Sequence, residues 1–592
     1  MKNKCLLILF IFFFQNIIVS AQDNPIESSD FPYTNLLHLG TPNPFAPSTA
    51  GIPSPPSGPV RTMAEWEELD AIIITWAPQG SSGISTILKE IVRHAKEEVE
   101  VIIICSSAAL VTNQLGASGI NTDNVTFITD EFDTIWVRDY GPNTIYLNDV
   151  GERLFVDWIY NRPRPEDDVA VPNAVATNFN TTIHETTADP NDLTHTGGNF
   201  MSDGMGTGFS SKLVLEENTH TQLEIDTIMN EFMGIDFGRY IYMDELEYDY
   251  ISHIDMHMKL LDEETLLVGQ YPDGVADGPQ IEANLQFILD NYTTPFGNPY
   301  NVIRIPMPPD FNGNYPDHLT NPGDYRTYTN SLIINKTILV PTYEEKYDTT
   351  ALRIWEEAMP GFKIQGINSN AIIHLLGAIH CITKEVGTTD PLLINHARVR
   401  SGCMEDAQEV AAIIKHDSGI NAASLFYSTD TLNGYQSLPM INTTDDNWMA
   451  TIPAIGTETE LFYYIDATAN SGKNIVRPLT APEGYWHYDV VDCLGTSTDD
   501  FNVGIGFEKI YPNPANAITV IPITSTERVE AEIIVTDILG RTVINVFSGK
   551  ISAGKSHYFF HANEYPSGTY FVNLKTASQT LVQKLIINAG SK

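Results

Sequence analysis

Cys381 lies in the run Gly377-Ala378-Ile379-His380-Cys381-Ile382-Thr383 and is the residue of this chain hardest to explain by packing alone. Upstream of it stand a Trp136-Val137-Arg138-Asp139 block, a His253-Ile254-Asp255 block and a lone Asn330. One thiol, one imidazole and two carboxylates, brought together by folding, are the parts needed to attack a guanidinium carbon and release ammonia. A guanidinium is planar, delocalised and permanently charged. Paired carboxylates must grip its N–H forks, fixing its plane and supplying the counter-charge. A thiolate must then attack the carbon, and a proton donor must see the ammonia off. Asp139 and Asp255 are the candidate carboxylates, and Trp136 offers an aromatic face for a cation. The bland reading of each block taken singly, a surface His-x-Asp pair or an Arg-Asp turn at a strand end, remains open until they are shown to meet.

These residues sit within a segment that reads as α/β. Residues 71–76 form an apolar run. Ile84, Ile87, Leu88, Ile91, Val92 and Ala95 follow at the spacing of an amphipathic helix. Residues 99–104 and 125–129 read as two further buried strands, with Cys105 a buried small hydrophobe. Near the segment's end, 332–334 and 337–340 flank Asn335-Lys336 as a hairpin. Asp348 occupies an N-cap position for a helix stopped by Pro360-Gly361, and 362–367 is another strand. Tyr250 to Asp255 alternates as a strand would, which projects His253 and Asp255 from one face, one to handle a proton and one to hold the cation. Residues 60–393 therefore read as one α/β catalytic domain.

The flanks have other styles. Residues 1–21 carry Lys2 and Lys4, an apolar run and a small-residue end at Val19-Ser20-Ala21, the pattern of a secretory signal. Residues 22–59 are rich in Pro, Ser and Gly and read as a leader or pro-segment. From about 394 to 495 short strands alternate with turns, which suggests an immunoglobulin-like sandwich on rhythm alone. The net charge of −42 argues against nucleic acid or an anionic membrane as partner and suits cationic ligands such as arginine-bearing peptides. No later stretch is long and apolar enough to span a bilayer. Cys403 and Cys493 flank the second region and leave a bridge between them open, whereas Cys381 has no evident pairing role.

Two resemblances follow from particular motifs. Ile510-Tyr511-Pro512-Asn513-Pro514, Asp537-Ile538-Leu539-Gly540-Arg541 and Ser567-Gly568-Thr569-Tyr570-Phe571, within 505–592, resemble the C-terminal sorting domain of type IX secretion cargo in Gram-negative bacteria. That likeness implies a partnership with the type IX machinery and a secreted, outer-membrane-associated location. The order Trp136-x-Arg138-Asp139, Thr196-Gly197-Gly198-Asn199, His253-x-Asp255, Asn330, His380-Cys381-Ile382-Thr383 resembles the guanidino-group-modifying superfamily, with agmatine deiminases and bacterial peptidylarginine deiminases as its relevant members. It implies an α/β pseudo-fivefold propeller of ββαβ units, the pentein fold, followed here by two small all-β sandwich modules. It also implies Cys381 as nucleophile, His253 as acid and then activator of water, Asn330 as site asparagine and Tyr250 as a pocket-lining residue. No organic cofactor and no metal are implied.

The run Val156-Asp157-Trp158-Ile159-Tyr160-Asn161-Arg162-Pro163-Arg164-Pro165 looks like the peptidylarginine branch, in which Arg162 and Arg164 would meet a substrate's C-terminal carboxylate. Leu375-Leu376-Gly377-Ala378 departs from the glycine-rich run of agmatine deiminases. The expectation is a secreted deiminase of peptidyl-arginine. Its rivals are an agmatine or free-arginine deiminase and a non-catalytic surface adhesin.

Overall fold

The computed structural model describes residues 51–78, 80–161, 168–317, 324–493, 504–515, 518–526, 528–551 and 554–588. The expected signal sequence and most of the expected leader lie outside these residues. The described end of the expected leader, residues 51–59, is held to the domain: the Ile52 amide donates to the Ile183 carbonyl at 2.9 Å, and the Ser54 carbonyl meets His184 Nδ1 at 2.6 Å.

Between Val60 and Gly387 the chain builds five small sheets. In each, an antiparallel pair is followed by a helix and a third strand parallel to the second. A parallel neighbour needs a crossover, and a helix supplies it. Asn143–Leu147 pairs with Arg153–Trp158, and helix Val171–Phe179 carries the chain to Ile183–Thr186. Met201–Ser202 and Gly208–Ser211 are followed by helix Gln222–Met233 and Tyr240–Met243. Met258–Asp262 and Thr265–Gln270 lead through helix Gly278–Asn291 to Asn301–Pro306. Leu332–Ile334 and Thr337–Thr342 lead through helix Glu345–Ala358 to Lys363–Asn368. The fifth sheet is split. Its first strand, Lys384–Gly387, comes from the far end of the segment and pairs antiparallel with Leu69–Thr75, which continues through helix Ser82–Ala95 to Glu100–Cys105. This pairing ties the two ends of the segment together.

Local chemistry explains most of these elements. Helix Ser82–Ala95 opens on Ser81, whose side chain accepts the Ile84 amide, and buries Ile84, Ile87, Leu88, Ile91, Val92 and Ala95. Each of the larger of these side chains is worth about 1.5–3 kcal/mol on burial. Asn335 turns the 332–342 hairpin at φ 46°, a conformation asparagine tolerates. Two expectations need correction. Val125–Thr129 is a strand, but an edge strand and only half buried. Asp348 does not cap its helix, which begins after Glu344. It lies in the first turn and accepts the Tyr328 hydroxyl at 2.8 Å and the Tyr343 amide at 2.9 Å.

Strands from Leu393 to Val491 form two sheets around one apolar cluster that includes Val410, Ile414, Leu425, Ile452, Leu461, Ile465 and Trp486. Cys403 and Cys493 are bridged, with Cα atoms 5.4 Å apart and a sequence separation of 90. Two further sheets between Ile505 and Ile587 share a second cluster around Ile523, Ile533, Val572 and Leu585. Among the described residues, no helix is long and apolar enough to cross a membrane.

Three arginines of this acidic chain meet one buried acidic turn. The turn Asp262-Glu263-Glu264 is buried, and it is met by Arg398 on Asp262, by Arg400 on Glu264 at 3.3 Å and by Arg477 on Glu263 at 3.5 Å. Burial wins at Glu263 even so, raising its pKa from 4.5 to about 7. Between those values the folded chain holds a proton that the unfolded chain has released, so stability falls as pH rises through that window. At about 1.4 kcal/mol per pKa unit, the full effect is on the order of 3–4 kcal/mol. Glu263→Gln should therefore lose less stability than the parent between pH 5 and 7.5, measured by urea unfolding. Parallel pH profiles for the two proteins would show that this carboxyl is not the group responsible.

Candidate active site

The five sequence blocks that carry the candidate residues and the Gly197-Gly198 pair occupy equivalent places in the five sheets. Each lies in a short turn just before the sheet's first strand. Asp139 is in the one-turn helix Val137–Tyr140, ahead of Asn143–Leu147. Gly197–Asn199 is a 3-10 turn ahead of Met201–Ser202. His253 and the turn Ile254–Met256 precede Met258–Asp262. Asn330 precedes Leu332–Ile334, and the turn His380–Ile382 precedes Lys384–Gly387. The run from Tyr250 to Asp255 is thus not a strand. Ser252 sits at φ 52° and reverses the chain, His253 is extended, and Asp255 lies in the 3-10 turn.

The turns converge. Asn330 Nδ2 donates to Cys381 Sγ at 3.1 Å, while Asn330 Oδ1 accepts the amides of Ala378 and His380, each at 3.1 Å. One side chain thereby holds both the sulfur and the backbone that carries it. Cys381 Sγ is 3.8 Å from Asp255 Oδ2. Across from it, His253 Nε2 meets Thr196 Oγ1 at 3.0 Å, and His253 Nδ1 is 3.7 Å from Asp139 Oδ1, which accepts the Gly198 amide at 3.0 Å.

Gly198 is the floor between these groups. A Cβ on it would stand 2.5 Å from His253 Nδ1 and 3.2 Å from both Asp139 Oδ1 and Asp255 Oδ2. His253 Nδ1 and Asp255 Oδ1 are buried and have no hydrogen-bond partner among the described residues. Such atoms are costly unless something donates to or accepts from them. A planar cation with several N–H groups would satisfy the carboxylates. Trp136 is half buried at the other edge: a Cβ on Gly377 would lie 2.6 Å from its ring and 3.1 Å from Cys381 Sγ.

The electrostatics are set by burial and neighbouring charge. Burial, followed by the charges of Asp255 and Asp139, pushes the Cys381 thiol well above its ordinary range. That direction favours the protonated sulfur in the free pocket. Burial also opposes the charge on Asp255, but the His380 hydrogen bond and the charges of His380, His253 and Arg138 hold its pKa below the ordinary value.

Several contributors were not singled out from the sequence. Arg138 grips Glu385 through two bonds of 2.9 and 2.6 Å and donates to the His380 carbonyl at 3.2 Å, which joins the Asp139 turn to the Cys381 turn. Burial disfavours the Glu385 charge, yet Arg138 brings its pKa down to about 2. Asp249 accepts the His253 amide at 3.1 Å, and Trp158 Nε1 donates to the Asp139 carbonyl at 3.2 Å. Tyr250, the expected pocket tyrosine, is 43 % exposed on the turn leading to His253, at the periphery of this buried set. Arg162 and Arg164 lie outside the described residues.

A buried thiol facing two carboxylates and an imidazole across a glycine floor belongs to a deiminase of the guanidino-group-modifying class. Residues 61–386 match the family described as Porphyromonas-type peptidyl-arginine deiminase, and the chain belongs to that family. Residues 509–588 match the secretion system C-terminal sorting domain, so the protein is exported to the cell surface. A relative from Pectobacterium atrosepticum is 25% identical over 386 residues, covering 60% of this chain and 99% of its own, and one from Mycoplasma capricolum is 24% identical over 357 residues, covering 55% and 95%. Both carry the name "Putative agmatine deiminase". Among solved structures, an agmatine deiminase of C. jejuni is 21% identical, covers 56% of this chain and 96% of its own, and has a TM-score of 0.46.

Proposed function

We propose that this chain is a protein-arginine deiminase that converts peptidyl-arginine, preferentially at a peptide's C-terminus, to peptidyl-citrulline with release of ammonia. In this reading 60–393 is the catalytic domain, its five ββαβ sheets arranged as a pseudo-fivefold propeller. An immunoglobulin-like sandwich at 394–495 and the sorting module at 505–592 follow it.

The observation that carries the proposal is the seat above Gly198, where a Cβ would stand 3.2 Å from both Asp139 Oδ1 and Asp255 Oδ2 and 2.5 Å from His253 Nδ1. A guanidinium held there by the two carboxylates neutralises the charges that keep Cys381 protonated, so substrate binding itself draws the thiol toward thiolate. The thiol proton passes to His253. The C–S bond forms, His253 returns the proton to a departing nitrogen, and ammonia leaves a thiouronium. His253 then takes a proton from water as its oxygen attacks the same carbon; the C–S bond breaks to give citrulline, the remaining hydroxyl proton passes to sulfur to restore the thiol, and His253 gives up its proton to solvent.

The preference for a C-terminal arginine rests on Arg162 and Arg164, whose forks suit a carboxylate. The names of the curated relatives favour a second reading, agmatine deimination, in which no carboxylate rewards those arginines. Three substrates separate the two: a peptide ending in arginine, the same peptide amidated, and agmatine. Ammonia release and a mass gain of about 1 Da should be at least roughly tenfold faster on the first, and Arg162→Ala should narrow its lead over the second. Faster turnover of agmatine would give the second reading, and no turnover of any guanidine would leave the adhesin.

A further inference from the structure

We infer that Glu65 and His380 are positioning residues that orient Asp255 toward the substrate cation, an inference that rests on the deiminase reading. His380 is fully buried between two carboxylates, with Nδ1 at 2.7 Å from Asp255 Oδ2 and Nε2 at 3.0 Å from Glu65 Oε1. The other oxygen of Glu65 is bound to the ammonium of Lys259, itself buried. A row thus runs from Lys259 through Glu65 and His380 to Asp255, and ends 3.8 Å from Cys381 Sγ.

The arrangement divides the two oxygens of Asp255. Oδ2 is taken by His380, whereas Oδ1 has no partner among the described residues. With Oδ2 pinned, the carboxylate cannot rotate about its χ2 bond without breaking a short charge-assisted hydrogen bond in a buried setting. Oδ2 is thereby fixed where it faces the seat above Gly198, and Oδ1 keeps its acceptor capacity free for a guanidinium N–H. Glu65 fixes His380 in turn, since an imidazole hydrogen-bonded through both ring nitrogens is held in its ring plane. A site that must meet a flat cation gains most from a carboxylate held in advance, because misorientation of a partner group is costly in a preorganised pocket.

The other charged groups near His380 do not replace this role. Arg138 is committed to Glu385 and to the His380 backbone carbonyl, and His253 to Thr196 and the Asp139 side of the pocket. Neither is hydrogen-bonded to the Asp255 carboxylate.

The test is a double-mutant cycle read by binding. In a Cys381→Ala background, the dissociation constant of a peptide ending in arginine is measured by calorimetry with Glu65→Gln, Asp255→Asn and both. Glu65→Gln keeps the side chain's size and removes its charge. It should weaken binding roughly tenfold when Asp255 is present and less than about twofold when Asp255 is already Asn, the non-additivity expected of groups acting in series. Glu65→Asp, which restores the charge, should recover part of the loss. Equal losses in both backgrounds, or none in either, would overturn the inference, as would a lowered melting temperature that accounts for the whole effect. Failure of the deiminase reading has a different signature: the unmodified enzyme releases no ammonia from any guanidine, and the positioning role then falls with it.

Discussion

Cys381→Ala is expected to abolish ammonia release, with a loss of at least about 10⁴-fold, the scale seen when the nucleophile of a concerted site is removed. Cys381→Ser should lose nearly as much. A hydroxyl is far less acidic than a thiol, and the two carboxylates that already raise the Cys381 pKa would act against an alkoxide more severely. Cys105→Ala is the matched control, because Cys105 is the other free cysteine among the described residues and lies at the end of strand Glu100–Cys105. The measurement is initial-rate ammonia release on a peptide ending in arginine, with intact mass to exclude unfolding or modification. Residual turnover in Cys381→Ala within tenfold of the parent would remove the sulfur from the mechanism. The raised pKa carries a corollary about pH. With the thiol protonated in the free enzyme, alkylation of Cys381 at neutral pH should be slow and should accelerate as pH rises.

Much of this site was legible in the sequence because its residue types are rare in the combination and stand in short blocks. Cys381, His253, Asp139, Asp255 and Asn330 all reach the pocket. The helix over Ser82–Ala95 was equally plain, since its buried positions repeat at helical spacing and Ser81 marks its start. What was not legible depends on contacts between distant parts of the chain. Glu65 and His380 are 315 residues apart in sequence, and Arg138 and Glu385 are 247 apart. No local pattern announces such pairs. The strand expected at Tyr250 to Asp255 failed for a related reason. Alternation of polar and apolar residues suits a strand, but Ser252 adopts a left-handed conformation, uncommon for a residue with a Cβ, and the hydrogen bond from the His253 amide to the Asp249 carboxylate closes the turn. His253 and Asp255 still face a common point, through a bend and a 3-10 turn instead of a pleat. The N-cap expected at Asp348 was displaced because tertiary partners, Tyr328 and Tyr343, occupy its carboxylate.

The adjacent glycines of the Thr196-Gly197-Gly198-Asn199 run should respond to alanine in opposite ways. At Gly197 a Cβ would stand 1.9 Å from the Arg138 carbonyl oxygen and 2.9 Å from its carbon, and backbone cannot yield by that amount without moving the Asp139 turn. Gly197→Ala should therefore destabilise the fold, lowering the urea midpoint by the equivalent of about 1–3 kcal/mol, the usual cost of overpacking. At Gly198 the nearest atoms to the same methyl are groups of the pocket: His253 Nδ1 at 2.5 Å, and Asp139 Oδ1 and Asp255 Oδ2 at 3.2 Å. Neither glycine needs a left-handed backbone, so strain is not the difference. His253 can swing aside, and the chain should fold, but the methyl would occupy the seat proposed for the guanidinium and push the imidazole off its line to Thr196. Gly198→Ala is expected to cut kcat/KM by at least about 100-fold, since displacing reacting groups by around 1 Å costs that much, with a urea midpoint close to that of the parent. An alanine at 198 that leaves turnover within a few fold would mean that the cation sits elsewhere and that the glycine serves packing alone.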